Sequence, residues 1–256
     1  MMRRFVRGAA VGFSLLLAGS ASALPATYQG TGSSGGYNYA ATATFAVTGS
    51  NLTVTLTNTA TQDVNDPNDV LTGVFFDIAG TTLTRGSAVL GAGSTVFSGG
   101  TDPGNVVGGE WAYVSGLVGA PGSAAHGISS AGLGLFGPSN LFPGTNLQGP
   151  ASPNGVQYGI TSAGDNSATG NGGISGQGLI HNAVVFTLPM GTIIDPATAI
   201  SNVTFQWGTA LTEPSYRGEC VDCPLVPEPR TVTWLAAGVM GLAALYRREH
   251  GKTTQA

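Results

Sequence analysis

The sequence predicts an all-β fold. We expect an antiparallel β-sandwich, with a jelly-roll as one way to wind it, carrying long glycine-rich loops and flanked by a signal peptide and a C-terminal hydrophobic helix. Three observations predict the β class. Residues 52–57 (LTVTLT) alternate apolar and polar with period two, the pattern of a strand with one buried face. No stretch between the termini sustains the period of a helix. And 41 glycines in 256 residues, mixed with Ser, Thr, Asn and Ala, cut the chain into short apolar runs separated by turns.

Residues 37–47 place Tyr39, Ala41, Ala43, Phe45 and Val47 on one face. Thr48-Gly49-Ser50-Asn51 turns the chain, and 52–57 completes a hairpin with Leu52, Val54 and Leu56 toward the core and threonines toward water. After a polar loop at 63–69, the run 70–78 (VLTGVFFDI) is apolar on both faces at Val74-Phe75-Phe76 and reads as a central strand. Residues 81–90 read as its return strand and 110–114 (EWAYV) as a short one. The stretch 116–178 is mostly Gly, Ser, Ala, Asn and Pro with no fixed repeat period, either long surface loops or loosely held inserts. Strand patterns return at 179–188 (LIHNAVVFTL) and 203–207 (VTFQW). Seven to ten strands follow, with distant N- and C-terminal strands pairing around the loop-rich middle.

The termini are of another kind. Arg3, Arg4 and Arg7 precede an apolar stretch centred on Leu15-Leu16-Leu17, and Ala21-Ser22-Ala23 forms an A-x-A cleavage site before Leu24. That order is a secretory signal peptide, cut after Ala23. At the other end Val226-Pro227-Glu228-Pro229 precedes an apolar run over 232–246, and Arg247-Arg248 closes it. The run is somewhat shorter than the ~20 residues of a comfortable membrane span, which suits a transient anchor, and the arginines hold the tail on the cytoplasmic side. The expected units are therefore 1–23 signal peptide, 24–218 β-rich body, 219–229 linker and 230–256 transmembrane sorting segment.

Between these termini only Arg85 and Arg217 are cationic against eleven acids, a net charge of −9 for the body. Such a surface cannot neutralise phosphates, which excludes nucleic acid as a partner.

The C-terminal tripartite order resembles the PEP-CTERM proteins. The body is similar to a family of exosortase-dependent surface proteins along LTVTLTNT (52–59), VLTGVFFDI (70–78), GGEWAY (108–113), GLGLFGPSNLFPG (132–144), LQGPASPNGVQYGITSAGDN (147–166) and the VVFTL and VTFQWGT runs. The resemblance implies a route and an address, with no activity attached. The secretion machinery would export the chain, and the C-terminal helix would hold it in the inner membrane of a Gram-negative-type bacterium. An exosortase would then process it near Pro227-Glu228-Pro229 for the cell surface or extracellular matrix. The tail after the arginines, 249–256, is longer than the pattern requires.

Within the body, chemistry is sparse. Asp63, Asn65, Asp66 and Asp69 gather oxygen ligands as a calcium loop does, yet Pro67 interrupts them and Val74 stands where a bidentate Glu belongs. Asx-rich turns look the same. Cys220-Val221-Asp222-Cys223 has redox spacing without the strand–helix context, so a local disulfide is expected. No phosphate-binding glycine loop is present, and His126 and His181 are the only histidines between the termini, thin ingredients for hydrolysis. Asp77, Asp102, Glu110 and Asp165 are acids with no spacing that favours paired glycoside chemistry. Trp111 and Tyr113, with Tyr158, are candidate sugar contacts for a host exopolysaccharide, against the alternative that they are core aromatics. The expectation is a non-enzymatic exported surface or matrix protein without cofactor, the alternative a carbohydrate-binding module.

Overall fold

The hairpin legible in the sequence is the first fixed part of the structure, a computed structural model that describes residues 24–101, 103–138, 142–150 and 155–223. The signal peptide with Ala21 and Ala23, the sorting motif Val226 to Pro229, the apolar segment and Arg247-Arg248 lie outside the described residues. Strands β2 (Tyr37–Thr48) and β3 (Asn51–Asn58) pair Thr48 with Asn51 across the two-residue Gly49-Ser50 turn, where Gly49 has φ 60°. Leu52, Val54 and Leu56 are fully buried and the threonines between them half-buried.

Around this hairpin the chain lays down β1 (Ala26–Ser34), β4 (Leu71–Ile78), β5 (Ser87–Leu90), β6 (Thr95–Phe97), β7 (Ala112–Ser115) and β8 (His126–Ser129). The C-terminal part adds β9 (Ile160–Thr161), β10 (Leu179–His181), β11 (Ala183–Pro189), β12 (Ile200–Trp207) and β13 (Ser215–Asp222). A four-residue helix, α1 (Pro196–Ala199), is the one α-helix among the described residues. The all-β class holds. Instead of two separate sheets, the thirteen strands form one continuous sheet: eleven follow the order β5-β11-β3-β2-β1-β13-β12-β4-β9-β10-β6, and β8, with β7 beyond it, branches off β4; the whole curls until it is nearly closed into a barrel.

Two strands turn the corners. β13 pairs β12 along Ser215 to Arg217 and then β1 along Gly218 to Asp222, so one strand serves both halves. The other corner is the run 179–188, expected as one strand. It is broken at Asn182, whose φ of 84° bends β10 in one half into β11 in the other. Asn tolerates that left-handed backbone better than most residues. The seam beside this bend is sewn by Asn58, only 2 % exposed. Its Nδ2 donates to Ile160 O (2.9 Å), its Oδ1 accepts from Ala60 N (3.0 Å), and its backbone N donates to Asn182 O (3.1 Å). On β1, Gly30 and Gly32 lie beneath the rings of Phe205 and Tyr216, and a Cβ at either would run into its ring. Glycine there lets the aromatics close over the strand.

The expected return strand at 81–90 shrinks to β5 and an isolated Leu83–Met190 bridge. β13 runs to Asp222, so 219–222, expected as linker, is part of the sheet. The glycine-rich middle is packed. Leu133, Phe136 and Phe142 bury against Phe75, Ala112 and Ala131 as a second small core outside β4. The main core fills the interior with Phe45, Leu52, Leu56, Phe76, Trp111, Phe186, Phe205 and Trp207. β4 is thus buried on both faces, as its apolar run predicts.

Strand direction gives the barrel two rims. At the terminal rim, Ala26 of β1 and Asp222 of β13 meet the turn at 49–50 and the loops 79–86, 116–125 and 190–195. At the distal rim lie the Gly35-Gly36 turn and the loops 59–70, 162–178 and 208–214.

The Asn58 seam generates a stability prediction. Asn58→Ala leaves the Ile160 carbonyl and Ala60 amide without their buried partner, which should cost about 1–3 kcal/mol. Urea unfolding of the mature chain measures it. Asn58→Asp restores the acceptor alone and should remain destabilised.

Candidate functional site

The Asx-rich loop folds as its proline dictates. Pro67 opens a 3-10 turn, Pro67–Asp69, capped from both sides. Asp66 Oδ1 accepts from Asn68 N (2.9 Å), and Asp69 Oδ2 accepts from Asn65 N (3.1 Å) and Asp66 N (3.3 Å). Asp69 Oδ1 accepts from the Tyr39 hydroxyl at 3.3 Å. The second loop locks the first. Asp63 Oδ1 accepts from Asn166 N (3.1 Å), Asp165 Oδ1 from Val64 N (2.7 Å), and Asn171 N donates to Asn65 O (2.9 Å).

The four calcium candidates Asp63, Asn65, Asp66 and Asp69 therefore sit in one loop without converging on one point. The three carboxylates are turned to backbone N–H groups, and among the described residues no three His, Cys, Asp or Glu side chains are placed to hold a metal ion. The Asx-turn alternative describes the geometry.

The same loop forms one wall of a cleft of about 330 Å³ at the distal rim, lined by Gly35, Gly36, Gln62, Asn65, Asp66, Asn68, Asp69, Glu213 and neighbours. Tyr37 and Tyr39 form its floor, 4.8 Å apart edge to face, and Tyr39 continues onto Trp207 and Tyr216. Burial pushes the Asp69 carboxyl above the usual carboxylate range. Burial and the Asp69 charge push both tyrosine hydroxyls up, so they stay protonated donors. Glu213 Oε2 accepts from Thr209 N and from Ala210 N (2.8 Å), which ties the opposite wall. A cleft lined by carboxylates and amides without a cation suits neutral hydroxyl-rich or cationic ligands and repels anions.

The sugar-contact candidates fall elsewhere. Trp111 is fully buried against Phe186 with ring centroids 4.9 Å apart, and Tyr113 is 4 % exposed. Neither can stack on a sugar, and the core-aromatic alternative is the correct one. The reason is that both rings point into the main core, and it is Ala112 between them that faces the outer cluster of the Gly-rich middle. Tyr158 is half-buried and donates to Gly100 O at 2.7 Å. Of the paired-acid candidates, Asp77 lies at the terminal rim, receiving Ala125 N (2.7 Å) and Asn202 Nδ2 (3.1 Å). Asp165 lies at the distal rim, so the two cannot flank one bond; Asp102 lies outside the described residues.

Cys220 and Cys223 are joined as a disulfide, Cα atoms 5.9 Å apart. Cys220 stands on β13 opposite Tyr28, and Cys223 packs against the main core. The bridge ties Cys223, just past the end of β13, back onto the strand. Sequence reasoning missed the cleft, since Gln62, Asn68 and Glu213 are separated along the chain and carry no motif. Compared with known proteins, the chain matches no family model, no curated protein and no solved structure.

His126 supplies a pH prediction. Its ring stacks on Phe76 (5.7 Å between centroids), and Nδ1 lies 2.8 Å from the Tyr113 hydroxyl. Burial lowers its pKa from 6.5, against a smaller opposing pull from Asp77. The folded state thus prefers neutral imidazole, and its contribution is complete above the ordinary histidine value and lost as pH falls from there through the lowered folded-state value. Urea midpoints should decline from pH 8 to pH 5 less steeply in His126→Phe than in the natural chain. Equal slopes refute the assignment.

Proposed function

We propose that this chain is a non-enzymatic exported surface or matrix protein, delivered by a cleaved N-terminal signal and sorted by an exosortase through Pro227-Glu228-Pro229, the apolar segment and Arg247-Arg248. The observation that carries the reading is where the body stops. β13 ends at Asp222 and the disulfide at Cys223, three residues before Val226. A cut near the motif removes nothing from the sheet. The start fits as well: Leu24 is 59 % exposed and β1 begins two residues later, so removal of 1–23 leaves the fold complete. A disulfide on the exposed rim accords with an oxidising compartment.

Intact mass of protein from envelope and medium, with and without the exosortase, tests this. A product from Leu24 to the Pro-Glu-Pro region, found only when the exosortase is present, is expected. An unprocessed C-terminus in both strains would make the chain a plain tail-anchored envelope protein.

The distal cleft favours a second reading, a carbohydrate-binding module for a neutral exopolysaccharide. It replaces the buried Trp111 and Tyr113 with Asn68, Asp66 and Glu213 as the contacting groups. Capture of host polysaccharide by the mature chain, abolished in Asn68→Trp because that exposed position would fill the cleft, is the expected outcome. Capture undiminished by Asn68→Trp removes the cleft from consideration.

A further inference from the structure

Five large apolar side chains are exposed among the described residues: Leu24, Val118, Ile193, Leu211 and Val221. Scattered exposure of this kind needs no explanation. Their placement is not scattered. β1 runs antiparallel to β13 with Thr27 opposite Asp222, so Val221 lies next to that pair and Leu24, three residues before Thr27, leaves the same rim. β4 pairs β12 with Ile78 opposite Ile200, and β8 pairs β7 with His126 opposite Ser115. The loop bearing Val118 therefore leaves the same rim, pinned there by Asn202 Nδ2 to Gly122 O at 2.7 Å. β11 ends with Pro189 opposite Asn51, so the loop bearing Ile193 leaves it too, held by Gly191 N to Thr82 O at 2.9 Å. Four of the five sit on the terminal rim, with Val118 at 88 % and Ile193 at 65 % exposed. Only Leu211 sits on the distal rim.

Acids outnumber cations at both rims, more so at the distal one. The distal rim carries Asp63, Asp66, Asp69, Asp165 and Glu213, with Arg217 just inside it on β13. The terminal rim carries Asp77, Asp195 and Asp222, with Glu219 just inside, and has Arg85 beside them. Asp77 and Asp195 are already occupied by backbone N–H groups, Asp195 as the cap of α1.

We propose that the terminal rim is a lipid-facing surface, and that the anchored body stands on the bilayer with Val118, Ile193, Val221 and Leu24 toward the headgroups and the cleft turned outward. The inference rests on the reading of the C-terminal segment as a membrane anchor. The chain itself supplies the occupant. Eight residues separate Cys223 from Val232, where the apolar run begins, and even fully extended the nine steps reach at most about 30 Å. The rim that holds Cys223 is therefore the part of the body kept nearest the bilayer, and it is also where the exposed apolar residues gather. Anionic headgroups would repel the more acidic distal rim.

The two native cysteines are paired, so single added thiols can be labelled. The chain from Leu24 onward is placed in phosphatidylethanolamine–phosphatidylglycerol vesicles containing headgroup-spin-labelled lipid. An environment-sensitive fluorophore is carried at Val118→Cys, Ile193→Cys or Leu211→Cys, all exposed positions. Flotation with the vesicles and loss of emission at 118 and 193 but not at 211 is the expected result. Failure to float defeats the anchor reading and the inference with it. Flotation with equal emission at all three positions leaves the anchor standing and overturns the inference. Probes at 118 and 193 shielded from aqueous iodide yet untouched by the lipid quencher would mean that a second copy covers the rim, which also overturns it.

Discussion

The antiparallel pairing of the first strand with the last is the constraint on which this structure depends. Tyr28 of β1 faces Cys220 of β13, and without that contact the sheet would be two half-sheets with open edges. Open edges invite pairing with other chains, and here they would also expose Tyr28, Phe205 and Tyr216 along the glycine stripe of Gly30 and Gly32. β13 bonds to both halves, so its register fixes the position of each relative to the other. The interior aromatics, Phe45 with Phe76 and Trp111 with Phe186, can interdigitate only when that register is set.

The polar groups follow from the same closure. A curled sheet ends in two rims of loops, and loops must find partners for backbone N–H groups that a strand would satisfy for itself. The distal rim does so with short acidic side chains, and this is why Asp63, Asp66, Asp69, Asp165 and Glu213 accumulate there. Their first task is to finish the backbone. The cleft is the space left between two loops fastened in this way, and its acidic lining is a consequence of the fastening.

Much of this was legible in the sequence, for physical reasons that also mark where legibility ends. The 52–57 alternation identifies β3 because one face is dry and the other wet. Val74-Phe75-Phe76 identifies a strand covered on both sides, because no other strand could afford them. The glycine-rich middle gave no such signal. Leu133, Phe136 and Phe142 are buried, but they are held by turns, and turns impose no period. Trp111 looks available on sequence because what covers it, Phe186 of β11, comes from far along the chain. The bend at Asn182 lies inside an unbroken apolar run, where only its left-handed backbone distinguishes it. The cleft was invisible because it is made from three separate loops.

The pairing of β1 with β13 also orders events in time. A strand waiting for a partner almost two hundred residues downstream cannot be sealed while the chain is still emerging, and sheets closed by such distant contacts form slowly, on the order of milliseconds to seconds. Until residues 215–222 arrive, β1 and β12 have no shared neighbour and the interior stays accessible. A chain built this way stays open for nearly the whole of its synthesis, and becomes a closed body only when its final strand, with Cys220 and Cys223, is complete.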